Sequence, residues 1–228
     1  MLYAVSDIHG CYELWRKFLD EIKFSADKDR IYVLGDFIDR GNGSVRLLKE
    51  MKDMDGVTVL AGNHERMFSR AYRMRFRKIN SCSDIALYKR YLADGGEETI
   101  NEFFKLDMDE KIALLDWIDG LPLYKELDVN GRKLVLVHGG IGNFAADKKL
   151  SEYTEKELTK YRVSDDDRFY DDRILICGHT PTLKEDGSAA EIIKRRDYIN
   201  IDCGCLWREK GGRLAYLELE ELRANYII

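Results

Sequence analysis

Residues 2–5 and 31–34 are short apolar runs rich in β-forming side chains, and each ends in a turn carrying glycine or aspartate. That is the pattern of a buried strand. Between them Leu14, Trp15, Phe18, Leu19 and Ile22 recur at helical spacing, which predicts an amphipathic helix over about residues 12–23. The unit repeats: Ser44 is placed to cap a helix carrying Val45, Leu47, Leu48 and Met51, and residues 57–61 form the next strand. A mainly helical stretch follows from about 65 to 120, with a loop expected at Asp94-Gly95-Gly96 and a helix bearing Ile112, Leu115, Trp117 and Ile118 ahead of Pro122. Residues 123–129 and 133–137 read as strands joined at Asn130-Gly131, a hairpin turn because both residues tolerate positive φ. Later strands are expected at 174–177, 198–202 and 214–219.

Alternating strands and helices first, hairpin-linked strands later, define a mixed α/β class built on two sheets. With no internal repeat, low-complexity tract or linker, a single domain over 1–228 with a helical insertion at about 65–120 is the economical reading. Hydrophobic residues make up 45% and charged residues 35% of the chain, a balance that supports a substantial core and excludes disorder. The apolar runs fall short of the ~20 residues a membrane helix needs, so no membrane association is expected. The amino terminus lacks the basic start and cleavage site of a signal peptide. Together with five cysteines, an odd number consistent with reduced thiols, this predicts a cytoplasmic protein. A formal charge of −5 argues against a stable nucleic-acid partner. Cys203-x-Cys205 alone is weak as a zinc motif and reads as buried strand cysteines.

The candidate chemistry lies at the predicted strand ends. All four histidines sit there, in Ser6-Asp7-Ile8-His9-Gly10, Gly62-Asn63-His64-Glu65, Val137-His138-Gly139-Gly140 and Cys177-Gly178-His179-Thr180. A fifth segment, Gly35-Asp36-Phe37-Ile38-Asp39-Arg40-Gly41, adds two carboxylates and an arginine. Ligands in α/β sheets bind beyond the carboxyl ends of the strands, where such loops converge. Carboxylate, imidazole and amide oxygen suit two divalent ions, with manganese as first choice and iron or zinc as alternatives. Asp36 is the candidate bridge, since one carboxylate can hold two ions about 3.5–4 Å apart.

These five motifs, in this order, resemble those of the calcineurin-like metallophosphoesterases, specifically the phosphoprotein phosphatase branch with its small bacterial and phage members. The resemblance runs from Ser6 to about Gly204, where Asn200-Ile201-Asp202-x-Gly204 also matches. It implies two mixed sheets packed as a sandwich and flanked by helices. It implies that Asp7, His9 and Asp36 bind one metal, and that Asp36, Asn63, His138 and His179 bind the other. His64 would be the general acid, with Asp39 orienting its imidazole, and Arg40 would hold phosphate oxygens, with Asn63 also facing the substrate. A metal-activated hydroxide would attack phosphorus without a covalent enzyme intermediate. The family's further phosphate-binding arginine is assigned to Arg162, over Arg168 and Arg173.

The expected function is hydrolysis of phosphate monoesters, first on phosphoserine or phosphothreonine proteins, with dinucleoside oligophosphates such as diadenosine tetraphosphate as the alternative. A non-catalytic scaffold of the same fold is a lower reading, and a nuclease is disfavoured by the acidic balance. Arg66, Arg70, Arg73 and Arg77 fall on one helical face opposite Phe68, Tyr72, Phe76 and Ile79. The apolar set predicts core, and the arginine stripe a solvated face that could steer an anion toward the site. Glu65 is read as a favourable charge at a helix start.

Overall fold

The computed structural model describes residues 1–76 and 81–227. Strands β1 (Leu2–Val5), β2 (Arg30–Val33) and β3 (Val57–Val59) alternate with helices α1 (Tyr12–Glu21) and α2 (Ser44–Asp53). A helical insertion follows, comprising α3 (Asn63–Phe76), α4 (Cys82–Tyr91), α5 (Glu97–Phe104) and α6 (Met108–Gly120). The second half contains β4 (Tyr124–Val129), β5 (Arg132–Val137), the short α7 (Glu155–Thr159), β6 (Ile174–Cys177), β7 (Ile193–Lys194) and β8 (Tyr198–Asn200). It closes with β9 (Leu214–Glu218) and β10 (Arg223–Ile227). One sheet has the order β10-β9-β1-β2-β3 and the other β4-β5-β6-β8-β7. Both are mixed: β1, β2 and β3 run parallel and β9 antiparallel to β1, while β5, β6 and β8 run parallel with β4 and β7 antiparallel at the edges.

The alternation of side chains along each strand explains the layering. Ala4 of β1 points between the sheets and meets Leu134 and Leu136 of β5, Ile176 of β6 and Leu217 of β9 in one buried cluster. Its neighbours Tyr3 and Val5 point the other way, into a core shared with Trp15 and Phe18 of α1 and Leu47 and Leu48 of α2. Val135 and Val137 of β5 likewise face outward against Leu150, Tyr153 and Leu158. Strands covered on both faces carry few polar residues, which is why they read as continuous apolar runs.

Several expectations need correction. Ser44 is the first residue of α2 rather than its cap, and Gly43 precedes the helix without a side-chain cap bond. The Ser44 hydroxyl instead accepts the backbone N–H of Asp39 at 2.9 Å and the Thr99 hydroxyl at 2.9 Å. Helix α6 buries Lys111, Leu114, Leu115 and Ile118, leaving Ile112 52% exposed. The Lys111 ammonium bonds to the Phe104 carbonyl at 2.9 Å, so its stem lies along a face that residue type alone assigned differently. The Asp94-Gly95-Gly96 segment continues the helical path from α4 as one wide turn, broken only at Gly95 with φ 99°. Strands β7 and β10 escaped notice because one is two residues long and the other is a half-exposed edge strand with polar positions. Phe76, Arg77 and Ile79 of the predicted stripe fall outside the residues whose side chains are described. Cys203 and Cys205 are buried and unpaired, in the loop after β8 rather than in a strand.

Leu136 is fully buried between the sheets, where truncation leaves a cavity in the inter-sheet layer. Leu136→Ala is expected to lower the unfolding free energy by about 2–5 kcal/mol, measured by urea titration; a shift under ~1 kcal/mol would show that this layer is not packed as described.

Candidate active site

Asp7 and His9 follow β1, Asp36 follows β2, Asn63 and His64 follow β3, His138 follows β5 and His179 follows β6. Both sheets therefore deliver side chains from the carboxyl ends of their parallel strands to one edge of the sandwich. The chain must turn sharply at each exit. Asp7 (φ 52°), His9 (φ 46°), Asp36 (φ 49°), Asp39 (φ 70°), Arg40 (φ 68°) and His179 (φ 64°) all occupy the left-handed region, at about 1–2 kcal/mol each. Such strain persists only where surrounding bonds fix it.

Glu65 supplies many of those bonds. Its carboxylate is fully buried and accepts backbone N–H groups from Asp36 (2.9 Å), Phe37 (3.0 Å), Ile38 (3.4 Å) and Gly62 (2.8 Å). It ties the loop after β2 to the loop after β3, a larger task than the helix-start charge read from sequence. Burial and the neighbouring Asp36 raise its pKa to about 7, against the pull of those donors. Glycine is required close by for a different reason: a Cβ on Gly62 would lie 2.2 Å from Asp36 Oδ1, and one on Gly178 would lie 2.2 Å from Asp7 Oδ2.

The imidazoles are oriented from behind. His9 Nδ1 lies 3.1 Å from the Ile38 carbonyl and His138 Nδ1 lies 2.9 Å from the Leu34 carbonyl. Both rings thus donate through Nδ1, which leaves Nε2 of His9 facing the cavity and Nε2 of His138 facing Asp36 and Asn63, the arrangement that suits a metal ligand. His138 Nε2 lies 3.2 Å from Asp36 Oδ2 and 3.2 Å from Asn63 Oδ1. Burial works against a charge on His138, yet Asp36 overrides it and lifts the pKa to about 10. A proton between two oxygen donors and a buried ring marks a place where a divalent cation fits, because ligation displaces that proton. Burial lowers the pKa of His9 and brings that of His179 down to about 3, which keeps both rings neutral as ligation requires. Burial also opposes ionisation of Asp36, but His138 and His64 outweigh it and hold its pKa well below the usual range.

Two groups of potential ligand atoms result, each within 4.8 Å: Asp36, His138 and His179, and His9, Asp36 and His64. They share Asp36, as a bridge requires. The first group, with Asn63 beside it, coincides with the set expected for one ion. The second contains His64 where Asp7 was expected. Asp7 lines the same cavity, but its Oδ2 accepts the Ser6 hydroxyl at 2.5 Å and the His179 N–H at 3.0 Å. Asp202, not assigned a role from sequence although it stands in Asn200-Ile201-Asp202, also lines the cavity. Burial and the proximity of Asp7 raise its pKa well above the ordinary value.

His64 Nδ1 lies 2.8 Å from Asp39 Oδ2. Burial opposes a charge on this ring, while Asp36 and Asp39 outweigh it and raise its pKa. Arg40 reaches across the site, with Nη1 2.8 Å from His9 Nε2 and Nη2 3.1 Å from His64 Nε2. A guanidinium only donates, so both nitrogens accept here and both rings are neutral in this arrangement.

The cavity in front of these groups measures about 420 Å³, and Arg90, Lys160, Arg162 and Trp207 also line it. Arg162 bonds to the His179 carbonyl at 2.9 Å. Arg168 bonds to backbone at Asp165 and Asp167, and Arg173 pairs with Glu126 and Asp172; neither lines the cavity. Arg90, Lys160 and Trp207 were not singled out, because each stands alone in sequence and only the folded chain brings them together. The arginine stripe is neutralised rather than free: Arg70 meets Glu155 at 2.9 Å, Arg73 meets Asp116 and Asp119, and Arg66 bonds to the carbonyls of Ile118, Asp119 and Leu121. Arg77 lies outside the described residues.

A shared carboxylate, clustered imidazoles and a cationic rim stand together at the edge of a two-sheet sandwich, donors that could hold divalent cations. The chain belongs to the calcineurin-like phosphoesterase family, whose sequence model matches residues 2–227, a hydrolase family that depends on paired metal ions. It is similar to the symmetrical bis(5'-nucleosyl)-tetraphosphatase of Paracidovorax citrulli, with 30% identity over 156 residues covering 68% of this chain and 49% of the relative. The enzyme of the same description from Wigglesworthia glossinidia brevipalpis is 32% identical over 140 residues, covering 61% and 44%. The chain spans about half the length of these curated relatives. In three dimensions it resembles a protein serine/threonine phosphatase from Saccharomyces cerevisiae, at TM-score 0.65 and 14% identity over 99% of this chain and 79% of that one. A metallophosphoesterase from Sphaerobacter thermophilus matches at TM-score 0.56 and 15% identity, over 99% and 86%. These two share the fold. Among the described residues no helix is long and apolar enough to cross a membrane.

Glu65→Gln replaces an acceptor-only carboxylate with a group that turns donors toward backbone donors. It is expected to cost about 2–3 kcal/mol of stability, read from chemical unfolding; a variant as stable as the parent would mean that the two loops hold their shape without the clamp.

Proposed function

We propose that this chain hydrolyses phosphoric esters with two divalent cations, manganese first, held by His9, Asp36, Asn63, His138 and His179 with Asp7 completing the set. The observation that carries this reading is the Asp36 carboxylate shared by two groups of ligand atoms, beside a buried His64–Asp39 pair and an arginine that bridges His9 and His64. Bound cations supply Lewis acidity that ionises water and neutralises phosphoryl oxygens. The protein's own part is to hold and protonate. Arg40 leaves the imidazoles for the anionic oxygens, which are better acceptors, and its planar fork fixes two of them. Arg162 holds the phosphoryl group from the opposite side. Once the guanidinium has moved, His64 Nε2 can carry the proton that Asp36 and Asp39 favour and give it to the leaving oxygen. The presence of His64, Asp39 and Arg40 in one bonded group supports an enzyme over a binding scaffold.

For the substrate we place dinucleoside oligophosphates first and phosphorylated serine or threonine proteins second. One phosphoryl group needs no more than Arg40 and Arg162, both exposed at the mouth of the cavity. Arg90 and Lys160 add positive charge beyond that need, and the pKa of Lys160 is lowered by burial and by Arg90. Arg90 keeps only a 4.0 Å contact with Asp94, and cations held this close together suit an extended anion. The name of the sequence relatives agrees with an oligophosphate.

Turnover of diadenosine tetraphosphate, a phosphothreonine peptide and p-nitrophenyl phosphate under manganese separates these readings. Lys160→Ala is expected to raise KM for diadenosine tetraphosphate about tenfold, one lost charge contact of about 1.4 kcal/mol, with little change for p-nitrophenyl phosphate. Equal effects on both would remove the oligophosphate reading. Arg162→Ala should weaken every substrate. A protein inert to all three in any first-row divalent cation would remove the enzyme reading.

A further inference from the structure

The helical insertion does more than wall the cavity: residues 91–99 enclose the Asp39–Arg40 peptide. The Tyr91 hydroxyl donates to Asp39 Oδ1 at 2.7 Å, while Oδ2 faces His64 Nδ1 at 2.8 Å. The Gly95 carbonyl accepts the Arg40 N–H at 2.8 Å, and Thr99 holds Ser44, whose hydroxyl fixes the Asp39 N–H. Each oxygen of the carboxylate and its backbone therefore has a dedicated partner. The Tyr91 ring is 1% exposed, lies 6.1 Å from the Phe68 ring, and is pressed so closely on Gly96 that a Cβ there would lie 2.1 Å from the ring. Packing fixes the ring, so the hydroxyl oxygen stays beside Asp39.

We infer that Tyr91 is a positioning residue for the proton donor: by bonding Oδ1 it fixes the plane of the Asp39 carboxylate, which in turn aims the His64 imidazole at the leaving oxygen. A carboxylate bonded through one oxygen can rotate about its Cβ–Cγ bond, and the imidazole on it swings with it. A carboxylate bonded through both oxygens cannot rotate without breaking a buried hydrogen bond. The tyrosine stays a neutral donor, because burial and the adjacent Asp39 raise its pKa well above the usual value. The inference rests on His64 acting as the acid, and its effect belongs to leaving groups that need a proton.

Tyr91→Phe keeps the ring and its packing and removes only the hydroxyl. For alkyl phosphates, whose leaving oxygen must be protonated, kcat is expected to fall about tenfold, the effect of losing one hydrogen bond that counts in the transition state. For p-nitrophenyl phosphate, whose phenolate leaves unprotonated, kcat should stay within about twofold. A structural role would depress both alike. His64→Gln is run in parallel and should show the same selectivity in larger measure. If His64→Gln slows all substrates equally, the acid assignment fails; if it is selective and Tyr91→Phe is not, the positioning role fails alone. Nitrogen-15 NMR of the histidines gives a second readout without turnover: the Nδ1 proton of His64 should exchange with water faster in Tyr91→Phe. Unchanged exchange would overturn the inference.

Discussion

One buried carboxylate keeps the loops after β2 and β3 in register. Glu65 draws backbone N–H groups from the loop after β2 and the loop after β3 onto a single pair of oxygens, and Asp36 and His64 ride on those loops. Asp36 Oδ1 then accepts the His64 N–H at 2.9 Å, which closes a ring of bonds through both segments. The strained φ angles at Asp36, Asp39 and Arg40 survive because this ring leaves the backbone no relaxed alternative. Charge at the centre follows from the same geometry. Asp36 can stay ionised in a dry setting because imidazoles crowd around it, and those imidazoles are held by carbonyls that strand ends supply.

The insertion belongs to this apparatus as much as the sheets do. A helical path that breaks at Gly95 presents carbonyls of Asp94 and Gly95 to Arg40 and the Tyr91 hydroxyl to Asp39. The sheets thus position the cluster of carboxylate and imidazoles around Asp36, and the insertion holds the Asp39–Arg40 segment beside it. Lys160 and Arg162, from the segment after α7, and Trp207, from the loop after β8, complete the enclosure. The cavity wall thus comes largely from parts of the chain outside the Asp36 cluster.

Much of this was legible from sequence, for identifiable reasons. Strands buried on both faces are apolar throughout, so β1, β2, β5 and β6 announced themselves; Asn130 and Gly131 do adopt positive φ, at 56° and 78°. Histidines and aspartates at strand ends need no three-dimensional knowledge to be grouped, and the structure brings His64, Asp39 and Arg40 together and sets Asp36, Asn63, His138 and His179 beside one another. The misses share a cause. Ser44 and Glu65 had an ordinary local explanation, yet their partners reach 55 and 29 positions away, and Tyr91, not singled out from sequence, meets Asp39 52 positions away. Spacing along a helix could not show that Arg66, Arg70 and Arg73 find carboxylates and carbonyls on other elements. Nor could it place Ile112 outside and the stem of Lys111 inside, since a long aliphatic side chain can cover apolar surface as well as a branched one.

The pairing of β1 has a bearing on how the molecule is made. Its parallel neighbour β2 is translated almost at once, but its antiparallel neighbour is β9, with Tyr3 opposite Glu218. At a synthesis rate of about 5–20 residues per second, the first strand leaves the ribosome roughly 10–40 s before the segment that covers its open edge. Until then a hydrophobic strand with unpaired N–H and C=O groups stands at the border of a half-built sheet, the kind of edge that recruits foreign strands. Birth, rather than maturity, is the period in which this protein is most exposed to aggregation.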